Sequence, residues 1–467
     1  MTARTAAITN LGCKVNQSEM EAAARLLGER GLAVVDADRP ADLVVINTCT
    51  VTAVADQKSR QAVRRARRAN PDAEIVVTGC SVQVGREAFA IADPAARLID
   101  NRAKDGLLDE IERLIGSESS RDTSANGIER ELPTLSGVEI DGIADGRALA
   151  RVSRTRAFIK VQDGCSFFCT YCIIPAARGP ERSLSPEIVL QDVRRALRAG
   201  HREIVLTGIN IGTYDGGSSE RGFRGSHLRP ALTLAGLVKR LLDETAVERI
   251  RLSSIEPQHV DDELLRVWVD GAPRTLPHLH LPLQSGDDGV LRRMGRRYGT
   301  KDYRAVVGRV RDAIPGVAVH GDVIAGFPTE DEAAFGRSLA FIREIDFAGI
   351  HVFRYSARPG TPAIRMRGQV DEPTKKRRAA DLLAVSAAAR VRWATAHVGA
   401  EAEVLIEEPL GDGRWAGHAR DHTLVAIADS NARQLANEIV TVRVDRVDPM
   451  LPERVEGHLV ASAGGIA

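Results

Sequence analysis

The chain has 467 residues, of which 43% are hydrophobic, so we expect a globular protein of two or three domains. Its formal net charge of +1 excludes a global field that would attract nucleic acid or a membrane, so any such surface must be a local patch. The sequence has no apolar run near the roughly 20 residues that cross a bilayer, and no signal-peptide core, so we expect a cytoplasmic protein.

Residues 1–115 alternate short apolar strands with helical stretches, which predicts a parallel α/β sheet. The expected strands cover residues 6–9, 43–47 and 74–79, and the expected helices cover residues 18–30 and 55–69. A cysteine follows the end of each strand, at Cys13, Cys49 and Cys80. Because parallel strands bring their carboxyl ends to one sheet edge, we expect these three cysteines, the wide set, to converge.

A second series of strands and helices occupies residues 151–370, after a polar linker at residues 116–150. We expect its six strands at residues 157–162, 203–209, 249–255, 278–283, 318–326 and 348–355. Six units are too few to close an eight-stranded barrel, so the pattern predicts a partial (β/α)6 barrel with its site at the carboxyl ends of the strands.

The remaining sequence predicts a connecting helix at residues 371–399 and a small all-β barrel at residues 400–461. The barrel prediction rests on short strands of alternating hydrophobicity separated by turn residues. The expected fold class is therefore α/β: an N-terminal parallel α/β domain, a central partial barrel and a small C-terminal β-barrel.

Three cysteines follow the first barrel strand with the spacing C-x3-C-x2-C, at Cys165, Cys169 and Cys172, and we call them the tight set. In a reducing compartment, cysteines so spaced suggest a metal or catalysis before disulfides. Structural zinc needs four ligands, and the sequence offers no fourth nearby. Three thiolates instead suit three irons of a [4Fe–4S] cluster whose fourth iron is open. A zinc site or unrelated thiols are the alternatives.

The tight set resembles the motif of the radical S-adenosylmethionine (SAM) superfamily. That resemblance implies a [4Fe–4S] cluster that binds SAM and cleaves it with one electron to give a 5′-deoxyadenosyl radical. Beyond this motif, nearly the whole chain resembles the methylthiotransferase family. The blocks that carry this resemblance are LGCKVNQSE, VVINTCTVTAVADQKSR, DGCSFFCTYCIIPAARG, LTGINIGTY, RLSSIEP, LHLPLQSGDDGVLRRMGRRY and DVIAGFPTE.

Three convergent cysteines of the wide set would hold a second cluster, and three buried thiols are the alternative. The family resemblance implies this auxiliary [4Fe–4S] cluster, two SAM molecules per turnover and a C-terminal RNA-binding module of the TRAM type. Its implied partners are a tRNA anticodon stem-loop and an electron donor such as flavodoxin or ferredoxin, with no membrane and no DNA.

The stretch GCKVNQ after the first strand resembles the branch that adds a methylthio group to C2 of threonylcarbamoyladenosine in tRNA. Other branches act on isopentenyladenosine in tRNA or on a ribosomal protein, and both stay open as alternatives. An alternative of another class is a non-catalytic iron–sulfur protein that binds RNA. The sequence names no catalytic residue, and the six cysteines are expected as metal ligands.

Polar residues at the strand ends are the candidates for SAM contacts, because SAM carries an amino group, a carboxylate, a ribose and an adenine. They are Thr207, Gly208, Asn210, Ser254, Glu256, Gln284 and Asp322. Local concentrations of basic residues are the candidates for phosphate contacts, with solvated helix faces as the alternative. We expect RNA contacts from Lys58, Arg64, Arg65, Arg68, Arg178, Arg182, Arg296 and Arg420.

Overall fold

The computed structural model describes residues 4–37, 39–101, 110–111, 113, 155–217, 232–428 and 435–460. The chain forms two compact units, and a short segment, Ile173–Gly179, belongs to the N-terminal unit although it follows the tight cysteine set in sequence. The second unit comprises Arg154–Cys172 and the chain from Pro180 onward. The linker expected at residues 116–150 lies outside the described residues.

The N-terminal unit contains a five-stranded parallel sheet with the order β2-β1-β3-β4-β5. Its strands are β1 (Thr5–Asn10), β2 (Ala33–Val35), β3 (Leu43–Thr48), β4 (Glu74–Gly79) and β5 (Arg97–Ile99). Its helices are α1 (Lys14–Glu29), α2 (Ala53–Ala69), α3 (Cys80–Ala92) and α4 (Ile174–Arg178). Every residue of β3 is buried, which explains why its sequence is a continuous apolar run rather than an alternating one. The predicted parallel α/β domain is confirmed.

The central part of the second unit is a half-open barrel of six parallel strands. The sheet β10-β9-β6 and the sheet β11-β12-β13 are linked by a parallel bridge from Ser254 to His280. The strands, with a short antiparallel pair included, are β6 (Arg156–Lys160), β7 (Gln162–Asp163), β8 (Arg182–Ser183), β9 (Glu203–Thr207), β10 (Arg249–Leu252), β11 (His278–His280), β12 (Ala318–Ala325) and β13 (Gly349–Arg354). The predicted partial barrel is therefore confirmed.

Helices cover the outside of this barrel and join its strands. They are α5 (Pro186–Arg198), α6 (Leu234–Glu244), α7 (Asp262–Asp270), α8 (Asp288–Met294), α9 (Thr300–Ala313) and α10 (Glu332–Ile345), with 3-10 turns at Ile211–Thr213, Pro257–His259 and Pro362–Arg365. Their buried apolar faces and the strands form one continuous core, which holds the strand ends in place. No helix among the described residues has the length and apolar character needed to cross a membrane.

The C-terminal part of the second unit is a closed five-stranded barrel with the order β14-β15-β16-β18-β17. Helix α11 (Glu372–Ala396) precedes it, and its strands are β14 (Glu401–Pro409), β15 (Arg414–Ala419), β16 (Leu424–Ala428), β17 (Ile439–Val447) and β18 (Arg454–Leu459). The prediction of a small all-β barrel is confirmed. Ion pairs join it to the central barrel, including Arg249 Nη2 to Glu403 Oε1 at 2.9 Å and Arg156 Nε to Glu407 Oε1 at 3.0 Å.

Candidate active site

The wide cysteine set lies at the carboxyl edge of the N-terminal sheet. Cys13 is the N-cap residue of α1, Cys49 directly follows β3, and Cys80 is the first residue of α3. Strands β1, β3 and β4 are neighbours in the sheet, so their ends bring the three thiols together. Burial raises the pKa of Cys49 to about 11, and the nearby thiols of Cys80 and Cys13 add to this shift. Burial and the two neighbouring thiols both disfavour a negative charge on Cys49. A positively charged metal centre would compensate for these effects.

A buried arginine contacts this set. Arg178, on α4, donates from Nε to Cys80 Sγ at 3.2 Å, and its side chain is only 1% exposed. Its Nη1 pairs with Glu19 Oε1 at 3.1 Å, and its Nη2 donates to Asn16 Oδ1. The amide of Asn101 adds a second donor to Cys80 Sγ at 3.4 Å. Hydrogen bonds of this kind to a coordinating sulfur stabilise the thiolate form.

Buried amides fix the loops that carry these cysteines. Asn16 Nδ2 donates to Asn47 Oδ1 at 3.3 Å and to the Thr48 carbonyl at 3.2 Å, and Asn47 Nδ2 donates back to the Asn16 carbonyl at 3.1 Å. The Ser59 hydroxyl accepts a hydrogen bond from the Cys49 amide at 3.2 Å. The polar string after Cys13 is therefore the first turn of α1, and part of it anchors the site.

The tight cysteine set lies on the loop between β7 and β8. Burial raises the pKa of Cys165 to about 11, and the neighbouring Glu181, Cys169 and Glu256 also raise it. The loop is compact, because the Cys172 amide bonds to the Cys169 carbonyl at 2.9 Å. Tyr171 lies among these residues, and burial together with the thiols of Cys169 and Cys172 raises the pKa of its hydroxyl. Cys169 is buried, whereas Cys165 and Cys172 are partly exposed and Phe168 is 56% exposed.

A second buried arginine contacts the tight set. Arg296 Nη1 donates to Cys169 Sγ at 3.4 Å, and the arginine side chain is 3% exposed. Its Nη2 pairs with Glu256, and the Tyr298 hydroxyl accepts from Nη2 at 2.9 Å. Both cysteine sets thus have one sulfur that accepts a hydrogen bond from a buried guanidinium that is itself held by a glutamate.

Neither cysteine set has the compact arrangement of ligands around a single ion. Ligands of one tetrahedral zinc at about 2.3 Å lie about 3.8 Å from one another. In the part of the chain that the structure describes, the group of three possible ligands within 4.8 Å of one another is His280, Asp322 and His351, which includes no cysteine. Wider spacing suits thiolates that bind different irons of one cluster.

That polar group lies on the central strands β11, β12 and β13. His280 Nε2 bonds to Asp322 Oδ1 at 3.0 Å, and His280 Nδ1 bonds to Ser254 Oγ at 2.6 Å. These hydrogen bonds engage both ring nitrogens of His280 without an ion. The strand-end pattern predicts Ser254 and Asp322 as site residues but not His280 and His351, although residues 278–280 carry an H-x-H pattern.

The other SAM candidates occupy the carboxyl ends of the barrel strands. Thr207 ends β9, and Gly208 and Asn210 follow it. Asn210 is buried, and neither its side-chain oxygen nor its nitrogen has a hydrogen-bond partner among the described residues. A buried amide left without partners is expected where a ligand supplies them. Gln284 has a left-handed backbone, with φ of 69°, and its amide and carbonyl both bond to β12.

The RNA candidates fall into three groups. Lys58, Arg64, Arg65 and Arg68 are exposed on α2 and make no ion pair with a described residue. Arg182 is half-exposed and bonds to Asp163 Oδ2 at 3.0 Å, and Arg420 donates to Glu403 and to the Pro273 carbonyl. Arg178 and Arg296 are buried against cysteines, a place that does not suit the phosphate contacts expected of them, because a phosphate needs an exposed cation.

Two family models match the chain. The model described as uncharacterized protein family UPF0004 matches residues 5–99, and the radical SAM superfamily model matches residues 159–342. The first range contains the wide set and the second contains the tight set. Among solved structures, the radical SAM methyltransferase TsrM of Kitasatospora setae has a TM-score of 0.55 at 15% identity, covering 78% of this chain and 77% of that one. This likeness shows the fold alone.

Several curated relatives match over most of the chain. The threonylcarbamoyladenosine tRNA methylthiotransferase MtaB of Bacillus subtilis is 39% identical, covering 86% of this chain and 85% of the relative. The MtaB of Thermotoga maritima is 34% identical and covers 97% and 100%. A tRNA-2-methylthio-N(6)-dimethylallyladenosine synthase of Acidothermus cellulolyticus is 32% identical and covers 99% and 90%. The chain therefore belongs to the radical SAM methylthiotransferase family, in the branch of the threonylcarbamoyladenosine tRNA methylthiotransferases.

Proposed function

We propose that this protein transfers a methylthio group to C2 of N6-threonylcarbamoyladenosine in tRNA, next to the anticodon. The observation that carries this proposal is the presence of two separate sets of three convergent cysteines, each with a buried arginine on one sulfur. A hydrogen-abstracting radical enzyme needs one such centre, and a second centre offers a place for the transferred sulfur. The relatives with the MtaB name support the substrate branch.

The family implies a [4Fe–4S] cluster and SAM, and we propose that the tight set holds this cluster while the wide set holds a second one. When bound, the first cluster supplies the electron that cleaves SAM, and two SAM molecules are used per turnover. The donor sets fit, because three thiols of each set converge and neither set is arranged around a single ion.

The chain's own residues prepare the sites for these groups. Arg178 and Arg296 place positive charge against the cysteine sulfurs. Glu256 pairs with Arg296, and burial raises the pKa of this carboxyl although the guanidinium opposes the shift. The side-chain amide of Asn210 has no hydrogen-bond partner among the described residues, so it is available for the polar groups of SAM.

The exposed cations of α2 are proposed to bind phosphates of the tRNA anticodon stem-loop, and the C-terminal barrel is proposed to act as a TRAM-like RNA-binding module. An electron donor such as flavodoxin or ferredoxin would supply the reducing electron. We propose a cytoplasmic location, because the proposed substrate is tRNA.

Nucleoside mass spectrometry of tRNA from a deletion strain tests the substrate. We expect the methylthio derivative of threonylcarbamoyladenosine to disappear and the unmodified parent nucleoside to accumulate. A plasmid with the native gene should restore the derivative, and one with Cys13→Ala should not, because it lacks a ligand of the auxiliary cluster. If the derivative persists in the deletion strain, or the methylthio derivative of isopentenyladenosine is lost instead, the proposed substrate is wrong.

Iron analysis separates the remaining alternatives. Two [4Fe–4S] clusters predict about eight irons per chain in anaerobically prepared protein, and about four after the wide set is replaced by alanine. The variant without the wide set should still convert SAM to 5′-deoxyadenosine. A non-catalytic iron–sulfur protein would form no 5′-deoxyadenosine in either case, and a zinc protein would contain no iron.

A further inference from the structure

Each cysteine set presents one sulfur to a buried guanidinium. Arg178 Nε lies 3.2 Å from Cys80 Sγ, and Arg296 Nη1 lies 3.4 Å from Cys169 Sγ. We infer that Arg178 and Arg296 separately raise the reduction potentials of the two iron–sulfur centres, each acting through the cysteine that it contacts. This inference rests on the proposed function, since it requires both cysteine sets to hold a cluster.

The guanidinium of Arg178 is oriented with Nε toward the wide set and the Nη atoms toward a carboxylate. Its Nε points at the cysteine sulfur, and the Nη atoms on the other end of the fork bind Glu19, with Nη1 to Oε1 at 3.1 Å. The positive group therefore stands between the sulfur and the carboxylate.

Low solvent exposure strengthens the effect of the Arg178 charge on the wide set. The side chain of Arg178 is 1% exposed and that of Glu19 is 10% exposed, so solvent screens the pair weakly. A thiolate-ligated cluster becomes more negative when it accepts an electron. A cation that donates to one of its sulfurs stabilises the reduced state more than the oxidised state, and so raises the potential.

The same features recur at the tight set with different residues. Arg296 is 3% exposed, pairs with Glu256 and donates to Cys169, so the arginine again joins a sulfur to a carboxylate. Arg178 itself lies on the segment that directly follows Cys172 but belongs to the N-terminal unit. One continuous stretch of chain thus supplies both the tight set and the cation of the wide set.

Redox titration monitored by electron paramagnetic resonance tests the inference. Each potential is measured in the full chain with the other cysteine set replaced by alanine, so that the signal belongs to one cluster. We expect Arg178→Gln to shift the wide-set potential to a more negative value and leave the tight-set potential unchanged, and Arg296→Gln to do the reverse. Glu19→Gln should shift the wide-set potential to a more positive value, because it removes the opposing charge.

Two further variants separate charge from folding. Arg178→Lys keeps the charge and should retain most of the native potential, and Arg182→Gln removes a half-exposed cation of β8, four residues further along the chain, and should shift neither potential. The inference is overturned if Arg178→Gln keeps its irons without a shift, or if Arg178→Lys and Arg178→Gln lose the cluster equally. About four irons in the native chain would instead overturn the two-cluster proposal, a separate result.

Discussion

Asn210 combines burial with an unused hydrogen-bonding capacity. Its residue is 3% exposed, yet the side-chain oxygen and nitrogen both lack partners among the described residues. An unpaired buried polar group costs about 1–3 kcal/mol, so such a residue at a strand end needs a compensating role. Its backbone amide is fixed by Gln162 Oε1 at 2.8 Å, which holds the residue in place for a ligand.

We expect Asn210→Ala to weaken SAM binding by about tenfold to a hundredfold, the equivalent of about 1–3 kcal/mol. Equilibrium binding of SAM to the reconstituted enzyme, together with the rate of 5′-deoxyadenosine formation, measures this loss. Iron content should stay unchanged, because the Asn210 side chain makes no hydrogen bond to a cysteine in the described part of the chain. Asn437→Ala is the control, since that amide already donates to the Gly200 carbonyl at 2.7 Å. Unchanged SAM affinity in Asn210→Ala would remove the residue from the proposed site.

At the residue scale, the sequence predicted the cysteines but not what surrounds them. Spacing and strand ends were enough to bring Cys13, Cys49 and Cys80 together. The partners Arg178 and Cys80 are 98 residues apart in sequence, and Arg296 and Cys169 are 127 apart. No local pattern indicates such contacts, so both arginines were interpreted as surface cations. Residue type alone does not distinguish a buried arginine from an exposed one.

At the element scale, the strands agreed closely with the predictions because their apolar runs are buried along most of their length. Helix α1 begins at Lys14, four residues before the expected start, because Cys13 occupies the N-cap and the polar string forms the first turn. The short edge strands β2 and β5 were not predicted. Each has three residues, too few for an apolar pattern to stand out.

The junction between α11 and the C-terminal barrel contains a histidine–aspartate pair. His397, at the end of α11, places Nε2 at 2.6 Å from Asp421 Oδ2 and Nδ1 at 2.8 Å from the Trp393 carbonyl. The hydrogen bond that His397 donates to the Asp421 carboxylate raises the pKa of His397 above its ordinary value, against the opposing effect of burial. The folded state therefore binds a proton more tightly than the unfolded state does.

This linkage predicts a pH-dependent contribution to stability. The contribution is complete below the unfolded pKa of histidine, about 6.5, and is lost as the pH rises through the higher folded value. We expect His397→Gln to cost about 1–2 kcal/mol at pH 6 and clearly less at pH 9, measured by urea unfolding of the full chain at both values. His458→Gln is the control, because its pair with Asp445 is exposed. Equal losses at both pH values would contradict the charged pair.

At the scale of the whole molecule, the two β-rich parts of the second unit share buried charges. Arg249 is 1% exposed and pairs with Glu203 inside the central barrel and with Glu403 on the C-terminal barrel. Because Glu403 is 42% exposed, solvent screens its pair with Arg249, and the pair of Arg156 with Glu407, at 13% and 20% exposure, is the better shielded link between the two parts. Composition and periodicity predicted both barrels, but no sequence pattern indicated the ion pairs that join them.

A molecule with a net charge of +1 must bind tRNA through local charge. On α2 the cations Lys58, Arg64, Arg65 and Arg68 are exposed and fall within about one third of the helix circumference. We expect reversal of all four to glutamate to weaken tRNA binding at least tenfold and to reduce the slope of log affinity against log salt by up to about 3. The formation of 5′-deoxyadenosine from SAM without tRNA should stay unchanged.

The matched control reverses four exposed cations spread over separate barrel helices: Arg198, Lys239, Lys301 and Arg343. Both variants change the net charge equally, so equal losses of affinity and salt slope would mean that total charge, rather than the α2 surface, governs binding.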